Sequence, residues 1–573
     1  MLIQVVLADS NEQLIRDYLD ASAECDLVEL RLDRVRDLDV GAVLSVAGKP
    51  RVATCRSRAQ GGFFGGSGEE RRGILEGAIA RGVEYVDLEL GSGDMALLCA
   101  AGRSRPIVSF HHTGGTPQNL EEIYRKMTEQ PGDAILKLVP FADSCTDNLR
   151  IRALLREARS EKRSLIAFCM GEKGKMSRIL AHAWGSWATF APSRPDARTA
   201  PGQLLLSELV RVFRHRDLDE TTPLCGVLGH PVAGSLSPLL HNAAYERLGI
   251  RRCFLPFDAE CVAEFLPLLS ELPISGLAVT HPHKESMCAH CDELDPVARR
   301  VGAVNTVVNR DGRLTGYNTD WLGAVTALTA KISLKGRHVL ILGAGGASRA
   351  IAYGIIQKGA RVSLTDVDQA RATALVKDLG GQAIPLNSVG DCPATILVNA
   401  TPVGMTPDID GIPINPDLLG RFEVVMDIVY QPLSTRLLRE AQAKGAATID
   451  GLQMLIHQDV ALARDGHPVP VDGDGARLPQ NRESLGGDEP AFGIQGKALA
   501  APVHEEEIRG TLGRLDPQTE AALAPLDGDH RRLPERRPAQ GSQSRRLVAV
   551  VEIAAEAGYV HAVIGVQVGN GGL

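Results

Sequence analysis

The sequence predicts an α/β protein: a (βα)8 barrel followed by a two-part module with a dinucleotide-binding sheet. Two observations carry this expectation. Eight short apolar runs alternate with helical, charge-bearing stretches in the first 217 residues, and a strand, glycine turn, helix and strand follow one another around residue 343. The runs are LIQVVLA, LVELRL, RVATC, YVDLEL, PIVSF, AILKL, LIAFC and WATF. Barrels of this kind carry their chemistry at the C-terminal ends of the strands, so polar residues should gather there. Glu29 and Arg31 end the second run, Arg56 follows the third, His111 follows the fifth, Lys137 lies in the sixth, and Arg178 and Gln203 follow the seventh and eighth. Core packing does not explain that convergence.

Composition narrows the function classes. The chain has 573 residues, 44% hydrophobic content and a net charge of -8, as expected of a soluble protein of two or three domains. Lys and Arg number 62 against 70 Asp and Glu, so no basic excess points to nucleic acid. The start MLIQVVLADSNEQL has no basic region followed by an apolar one, and no run of about 18 apolar residues occurs, so a cytoplasmic chain with no membrane partner is expected. Eleven scattered cysteines read as free thiols rather than a disulfide framework.

Lys137 sits inside the apolar segment AILKLVPF. Taking an ammonium out of water without a partner costs several kcal/mol, on the order of magnitude, and burial favours the neutral, nucleophilic amine. An acidic neighbour or a side chain snorkelling from the barrel end would explain the same residue. His111 and His112 are strand-end neighbours whose side chains point in opposite directions, so one faces the site, and His111 is the expected one.

Over this first segment the chain resembles the type I 3-dehydroquinate dehydratases, through VELRLD, TCRSRAQGG, SFHHTGGTP, AILKLVPFAD, GKMSRIL and APGQ in family order. The resemblance implies that Lys137 forms a Schiff base with the substrate ketone, that His111 is the general acid/base and that Arg178 grips the substrate carboxylate. It also implies that Glu29, Arg31, Arg56 and Gln203 contact substrate. One departure stands out: Gln60 occupies a position where the family usually has glutamate, which removes a charge beside the imidazole unless Asp87 or Glu89 supplies it.

After the polar joint RHRDLDETTP a second pattern opens. RHVLILGAGGASRAIAYGIIQKGARVSLTDVD has the layout of a dinucleotide-binding βαβ unit, with Gly343, Gly345 and Gly346 in the turn and Asp366 ending the next strand. The stretch HPHKESMCAHCDE looks metal-binding, yet no second ligand pair follows at a suitable distance, and no metal is expected.

This segment is similar to the shikimate dehydrogenase family, through SLSP, AVTHPHKE, GAVNTVV, GYNTDWLG, GAGGASRA, NATPVGM, MDIVYQPLSTRLL and DGLQMLIHQ. The resemblance implies a turn followed by a helix carrying Lys284, with Lys284 and Asp320 as the catalytic pair. Ser235 and Ser237 would take the substrate carboxylate, and Thr280, Asn305 and Gln458 its ring hydroxyls. Gly343, Ala344, Gly345, Gly346, Ala347, Asp366, Thr401 and Met405 would contact a nicotinamide cofactor. The family default is NADP, with an arginine in an N-R-T sequence meeting the 2′-phosphate. Aligning on Arg371 and Ala372 puts Asp366 and Val367 at the asparagine and arginine positions, which favours NAD. A basic residue from a neighbouring loop, such as Arg349, would reverse that.

The expected units are a dehydratase barrel over 1–217, a substrate domain over 222–325, a Rossmann-type domain over 326–448, a returning C-terminal helix over 449–470 and an unstructured tail over 471–573. The tail is either a genuine appendage or a stretch read out of frame. Both halves then imply consecutive steps, dehydration of 3-dehydroquinate and reduction of 3-dehydroshikimate, with small-molecule substrates and a homodimer left open. The rival readings are catabolic oxidation of quinate or shikimate, and a non-catalytic sensor. A pure binder has no need of Lys137, His111, Lys284 and Asp320 together.

Overall fold

The computed structural model describes residues 1–99, 101–130, 133–464, 546–556 and 559–569. Its first unit is built on β1 (Leu2–Val6), β2 (Leu27–Arg31), β3 (Arg51–Thr54), β4 (Tyr85–Glu89), β5 (Arg105–His112), β6 (Ile135–Pro140), β7 (Leu165–Ala167) and β8 (Thr189–Pro192). These are the eight apolar runs. They form one parallel sheet in the order β7-β6-β5-β4-β3-β2-β1-β8, a barrel whose seam lies between β7 and β8. There Trp187 N donates to Leu165 O at 2.8 Å. Every residue of β1, β2 and β6 is buried, because barrel strands are covered on one side by the packed interior and on the other by helices. β5 runs on to His112, so His111 lies within the strand instead of after it. Outside the barrel, Ser67 starts the helix Gly68–Ala80 with a capping box: its Oγ accepts from Glu70 N at 3.2 Å, while Glu70 Oε2 accepts from Ser67 N at 2.7 Å. Such a cap contributes about 1 kcal/mol.

The second unit contains two sheets. β9 (Leu224–Gly229), β10 (Cys253–Asp258), β11 (Ile274–Val279), β12 (Glu293–Leu294), β13 (Thr306–Arg310) and β14 (Arg313–Tyr317) lie in the order β10-β9-β11-β13-β14-β12. β9, β10 and β11 pair parallel, and β13 is antiparallel to both its neighbours. β15 (His338–Leu342), β16 (Arg361–Thr365), β17 (Gln382–Ala383), β18 (Ile396–Asn399), β19 (Val424–Asp427) and β20 (Ala447–Ile449) are all parallel, in the order β17-β16-β15-β18-β19-β20. Strand order reverses between β15 and β18, where doubly wound sheets open a ligand crevice. The helix Gly451–Arg464 then packs against the helix Asp320–Thr329, so closely that a Cβ on Gly323 would lie 2.6 Å from Met454 O.

One apolar core runs without a break from the barrel strands (Leu2, Val28) through Leu209 into the β9–β14 sheet (Leu224, Leu255) and the helix over it (Phe265). The β15–β20 sheet has its own, around Val339, Ile341, Ile351 and Val398. The expectation of an unstructured tail needs correction at its far end. β21 (Arg546–Glu556) and β22 (Tyr559–Gly569) form an antiparallel hairpin, because LVAVVEIA and YVHAVIGV are rich in β-branched residues suited to a strand ladder. Residues 471–545 of that expectation, and the last six of the expected C-terminal helix segment, lie outside the described residues. Among the described residues no helix is long and apolar enough to cross a membrane.

Candidate active sites

Lys137 is 4% exposed. Its Nζ lies 3.2 Å from Asp87 Oδ2, 3.7 Å from Glu29 Oε1 and 4.0 Å from the centre of the Phe190 ring. Acidic neighbours, not snorkelling, compensate its charge. Burial pushes the Asp87 carboxyl up, but Arg56, Lys137 and the Ser109 hydroxyl outweigh it and hold it at about 2. Asp87 therefore stays ionised. Glu29 is fixed by Thr54 Oγ1, which donates to it at 2.9 Å.

His111 and His112 part company as strand alternation requires. The His111 backbone N–H donates to Gln60 Oε1 at 3.0 Å, and the same oxygen lies 3.3 Å from His111 Nδ1. His112 Nδ1 faces Gly115 O at 2.8 Å, its ring stacked on Phe110. Burial, then the cations Arg56, Lys137, Arg31 and Arg178, push His111 well below its ordinary value, so its imidazole is neutral near pH 7. Neither alternative acid serves it: Asp87 is held by Arg56, Lys137 and Ser109, and Glu89 by Arg56, Arg71 and Ser57.

Arg178 lies in the short helix Lys175–Ile179, 2% exposed, with its guanidinium 4.5 Å from the centre of the Phe168 ring. Among the described residues its Nε has no hydrogen-bond partner, and burial lowers its pKa to about 10 against a faint opposing pull from Cys169. A buried guanidinium left so under-satisfied is suited to an anion. The other arginines are engaged: Arg31 forks onto Asp33 at 2.9 and 2.8 Å, and Arg56 reaches Asp87 at 2.7 Å and Ser109 Oγ at 2.8 Å. Gln203 turns its Oε1 to Thr199 N at 2.8 Å within its own loop. Sequence reasoning missed Asp33, Phe168, Phe190 and the pairing of Asp87 with Lys137.

In the second unit Lys284 Nζ donates to Asp320 Oδ2 at 2.5 Å. Asp320 opens the helix Asp320–Thr329 and is 1% exposed; its Oδ1 accepts from Asn305 Nδ2 at 2.9 Å. Asn305 also exchanges bonds with Thr319, giving to its Oγ1 at 3.0 Å and accepting from its N at 2.9 Å. Lys284 itself sits in the turn before the 3₁₀ helix Ser286–His290, not on a helix as expected, because His283 anchors that turn by a 2.7 Å contact of Nε2 with Ala259 O. Among the described residues no group of three or more His, Cys, Asp or Glu is arranged to hold a metal. Ser235 Oγ accepts from Ser237 N at 3.3 Å and bonds the Tyr430 side chain. Thr280 packs against Gly229, and Gln458 against Gly323.

The glycine turn ties the crevice to this pair. Gly343 has φ +102, and a Cβ there would lie 2.9 Å from Ala400 O. A Cβ on Gly346 would lie 2.8 Å from Lys284 Cβ. Asp366 accepts from Ala344 N at 2.7 Å and from Asp368 N at 2.8 Å, while Val367 is 93% exposed. Thr401 bonds Asn399 Oδ1 through N at 3.0 Å and Oγ1 at 2.7 Å, and Met405 is exposed. Ala347 follows Gly346 in the first turn of the helix Gly346–Gln357. Arg349 is turned away onto Val301 O and Asp378. The cation beside the turn is Arg371, whose Nη2 lies 3.8 Å from a Cβ built on Gly345 and 3.1 Å from Glu285 Oε1.

Residues 3–220 match the type I 3-dehydroquinase family, and residues 227–307 match the shikimate dehydrogenase substrate binding domain. A bifunctional 3-dehydroquinate dehydratase/shikimate dehydrogenase of Arabidopsis thaliana, chloroplastic, is 32% identical over 483 residues, 79% of each chain. An NADP(+) shikimate dehydrogenase of Thermococcus kodakarensis is 45% identical over 251 residues, 43% of this chain and 91% of that one. A solved Thermus thermophilus shikimate 5-dehydrogenase in complex with NADP(H) and shikimate is 42% identical, over 42% of this chain and 91% of that chain, with a TM-score of 0.39. With the Arabidopsis relative matched along about four-fifths of both chains and the two family matches in tandem, the chain belongs to the family of bifunctional 3-dehydroquinate dehydratase/shikimate dehydrogenases.

Proposed function

We propose that the barrel dehydrates 3-dehydroquinate and that the second unit reduces the 3-dehydroshikimate so formed to shikimate. The observation that carries this is Lys137, buried midway along β6 in the same barrel as a neutral His111, and in the same chain as a Lys284–Asp320 pair set against a glycine turn. In the barrel the Lys137 nitrogen adds to the ketone carbon, and loss of water leaves an iminium. That cation draws electrons from the adjacent carbon, whose proton His111 accepts. His111 then returns a proton to the departing hydroxyl, which leaves as water. Hydrolysis frees the lysine. Arg178 holds the substrate carboxylate, with Glu29, Arg31, Arg56 and Gln203 around it.

In the second unit Lys284 gives the proton that the reduced carbonyl oxygen needs, and Asp320 holds its ammonium in place. Ser235 and Ser237 take the carboxylate, and Thr280, Asn305 and Gln458 the ring hydroxyls. A nicotinamide cofactor supplies the hydride when bound; Gly343, Ala344, Gly345, Gly346, Ala347, Thr401 and Met405 would hold it. Asp366, beside the uncharged Val367, favours NAD, since a carboxylate accepts from ribose hydroxyls and repels a 2′-phosphate. Arg371 beside Gly345 favours the second reading, NADP.

A coupled assay tests the whole: 3-dehydroquinate with NADH or NADPH should consume reduced cofactor. Lys137→Ala should stop this, while 3-dehydroshikimate supplied directly is still reduced. Consumption from 3-dehydroquinate that survives Lys137→Ala overturns the assignment.

A further inference from the structure

Among the described residues Arg178 has no charged partner of its own, so something else must fix its position. The helix that carries it, Lys175–Ile179, has five residues, too few to hold its own shape. It rests on the second unit, packing against β10. A polar chain, half-buried at Glu264 and fully buried at Asn148 and Ser177, leads to it from the helix Val262–Glu271 of that unit. Glu264 Oε1 accepts from Cys145 N at 3.0 Å, and Glu264 Oε2 accepts from Glu260 N at 2.9 Å. Asn148, fully buried, donates from Nδ2 to Cys145 O and to Lys173 O, each at 2.8 Å. Its Oδ1 accepts from Ser177 N at 3.3 Å. Ser177 is fixed further by Cys169 N, which donates to its Oγ at 2.9 Å, and the next residue is Arg178. Lys173, in the same turn, reaches Glu260 at 2.9 Å and Glu264 at 3.5 Å.

We propose that Glu264, a residue of the dehydrogenase unit, is a positioning residue for the dehydratase: through Cys145, Asn148 and Ser177 it sets where Arg178 meets the substrate carboxylate. Cys145 lies in the segment that leaves β6, the strand of Lys137, so the same contact steadies both ends of the barrel site. Glu264 touches no substrate. Its carboxylate suits the place because two backbone N–H groups and Lys173 converge on it, and no neutral side chain of that size offers two acceptor oxygens. The dehydratase thereby borrows part of its rigidity from the reductase to which it is joined.

The proposal rests on Arg178 as the carboxylate grip, so the test carries a control for that reading. In the full chain, Glu264→Gln leaves one oxygen for two N–H donors and turns an amide NH2 against the other. It should raise KM for 3-dehydroquinate by about three- to tenfold, the loss of roughly one hydrogen bond, with kcat within about twofold. Glu264→Ala should do the same more strongly, and shikimate oxidation should be unchanged in both. A structural weakening would instead lower both activities together at constant KM. Arg178→Met must itself raise KM; if it does not, the carboxylate grip is misassigned and the proposal falls with it. If Arg178→Met raises KM and both Glu264 variants leave it unmoved, or if the two activities fall in step, the relay is overturned while the grip stands.

Discussion

The amine of Lys137 lies 3.2 Å from Asp87 Oδ2, and Asp87 is also gripped by Arg56 at 2.7 Å. A buried lysine this well compensated could be a plain ion pair. Chemistry separates the two roles, because an imine is reducible by borohydride and an ion pair is not.

Borohydride added with 3-dehydroquinate should therefore leave a covalent adduct on Lys137, found by peptide mass analysis. Lys137→Ala should abolish dehydration and leave shikimate oxidation intact. Asp87 keeps Arg56 and the Ser109 hydroxyl in that variant, so the barrel should fold. An adduct elsewhere, or none while dehydration continues, would sink the Schiff base.

Gln60 governs the second expectation. Its Oε1 contacts both the backbone N–H and Nδ1 of His111 but brings no charge to a ring that burial and four cations hold neutral. Gln60→Glu places a carboxylate there, which stabilises imidazolium and raises the His111 pKa. A base must be unprotonated to work, so the acidic limb of the dehydratase profile should move to higher pH by the same amount. An unmoved limb in kcat/KM against pH would show that Gln60 and His111 are uncoupled.

How much of this was legible in the chain depends on whether an element is local. Eight apolar runs and the glycine turn are short-range patterns, and the eight barrel strands and the β15–turn–helix unit lie where those patterns put them. The Lys137–Asp87 contact joins residues fifty positions apart on β6 and β4, and no spacing rule reports which strand-end acid meets which lysine. The same holds for Arg31. Its partner Asp33 is two residues away, but VELRLD does not say that the fork turns back on it. The family pattern places Lys284 on a helix because it runs on past it; the turn found there is held by His283 and Ala259, a contact outside any local motif. Arg349 looked available from its place after the glycine turn, yet folding spends it on Val301 and Asp378 and brings Arg371 in from the next helix.

Acid sensitivity follows from histidines kept neutral inside the fold. Burial pushes His215 down to about 4 against a smaller upward pull from Leu209 O, and burial alone brings His241 to about 4. An unfolded histidine titrates near 6.5, so between that value and about 4 the unfolded chain binds more protons. Stability is then full above about 6.5 and is lost as the pH falls toward the folded value, on the order of 2 kcal/mol per histidine by pH 5. The urea midpoint should drop between pH 7 and pH 5, and His215→Gln should drop less. An equal drop in the variant would remove His215 from the cause.

Cofactor choice sets two features of one crevice against each other. Asp366 follows β16 with both carboxylate oxygens turned to the N–H groups of Ala344 and Asp368, which fixes a negative charge beside the glycine turn where the adenine ribose would lie. Val367, almost wholly exposed, offers a 2′-phosphate nothing. Like charges brought together at such a place cost several kcal/mol, on the order of magnitude. Against this stands Arg371, close to Gly345 but paired with Glu285, so a phosphate must compete for its guanidinium. Half-exposed pairs are weak, typically about 0–1 kcal/mol, and the competition alone would not stop NADP. The fixed carboxylate is the larger effect, and NAD should be preferred by roughly tenfold or more in kcat/KM for shikimate oxidation, since about 1.4 kcal/mol already gives tenfold. Asp366→Asn with Val367→Arg should turn the preference toward NADP, and Arg371→Met in the unmodified background should weaken NADP more than NAD. A preference for NADP in the unmodified enzyme, lost in Arg371→Met, would instead make Arg371 the deciding residue and defeat the NAD assignment.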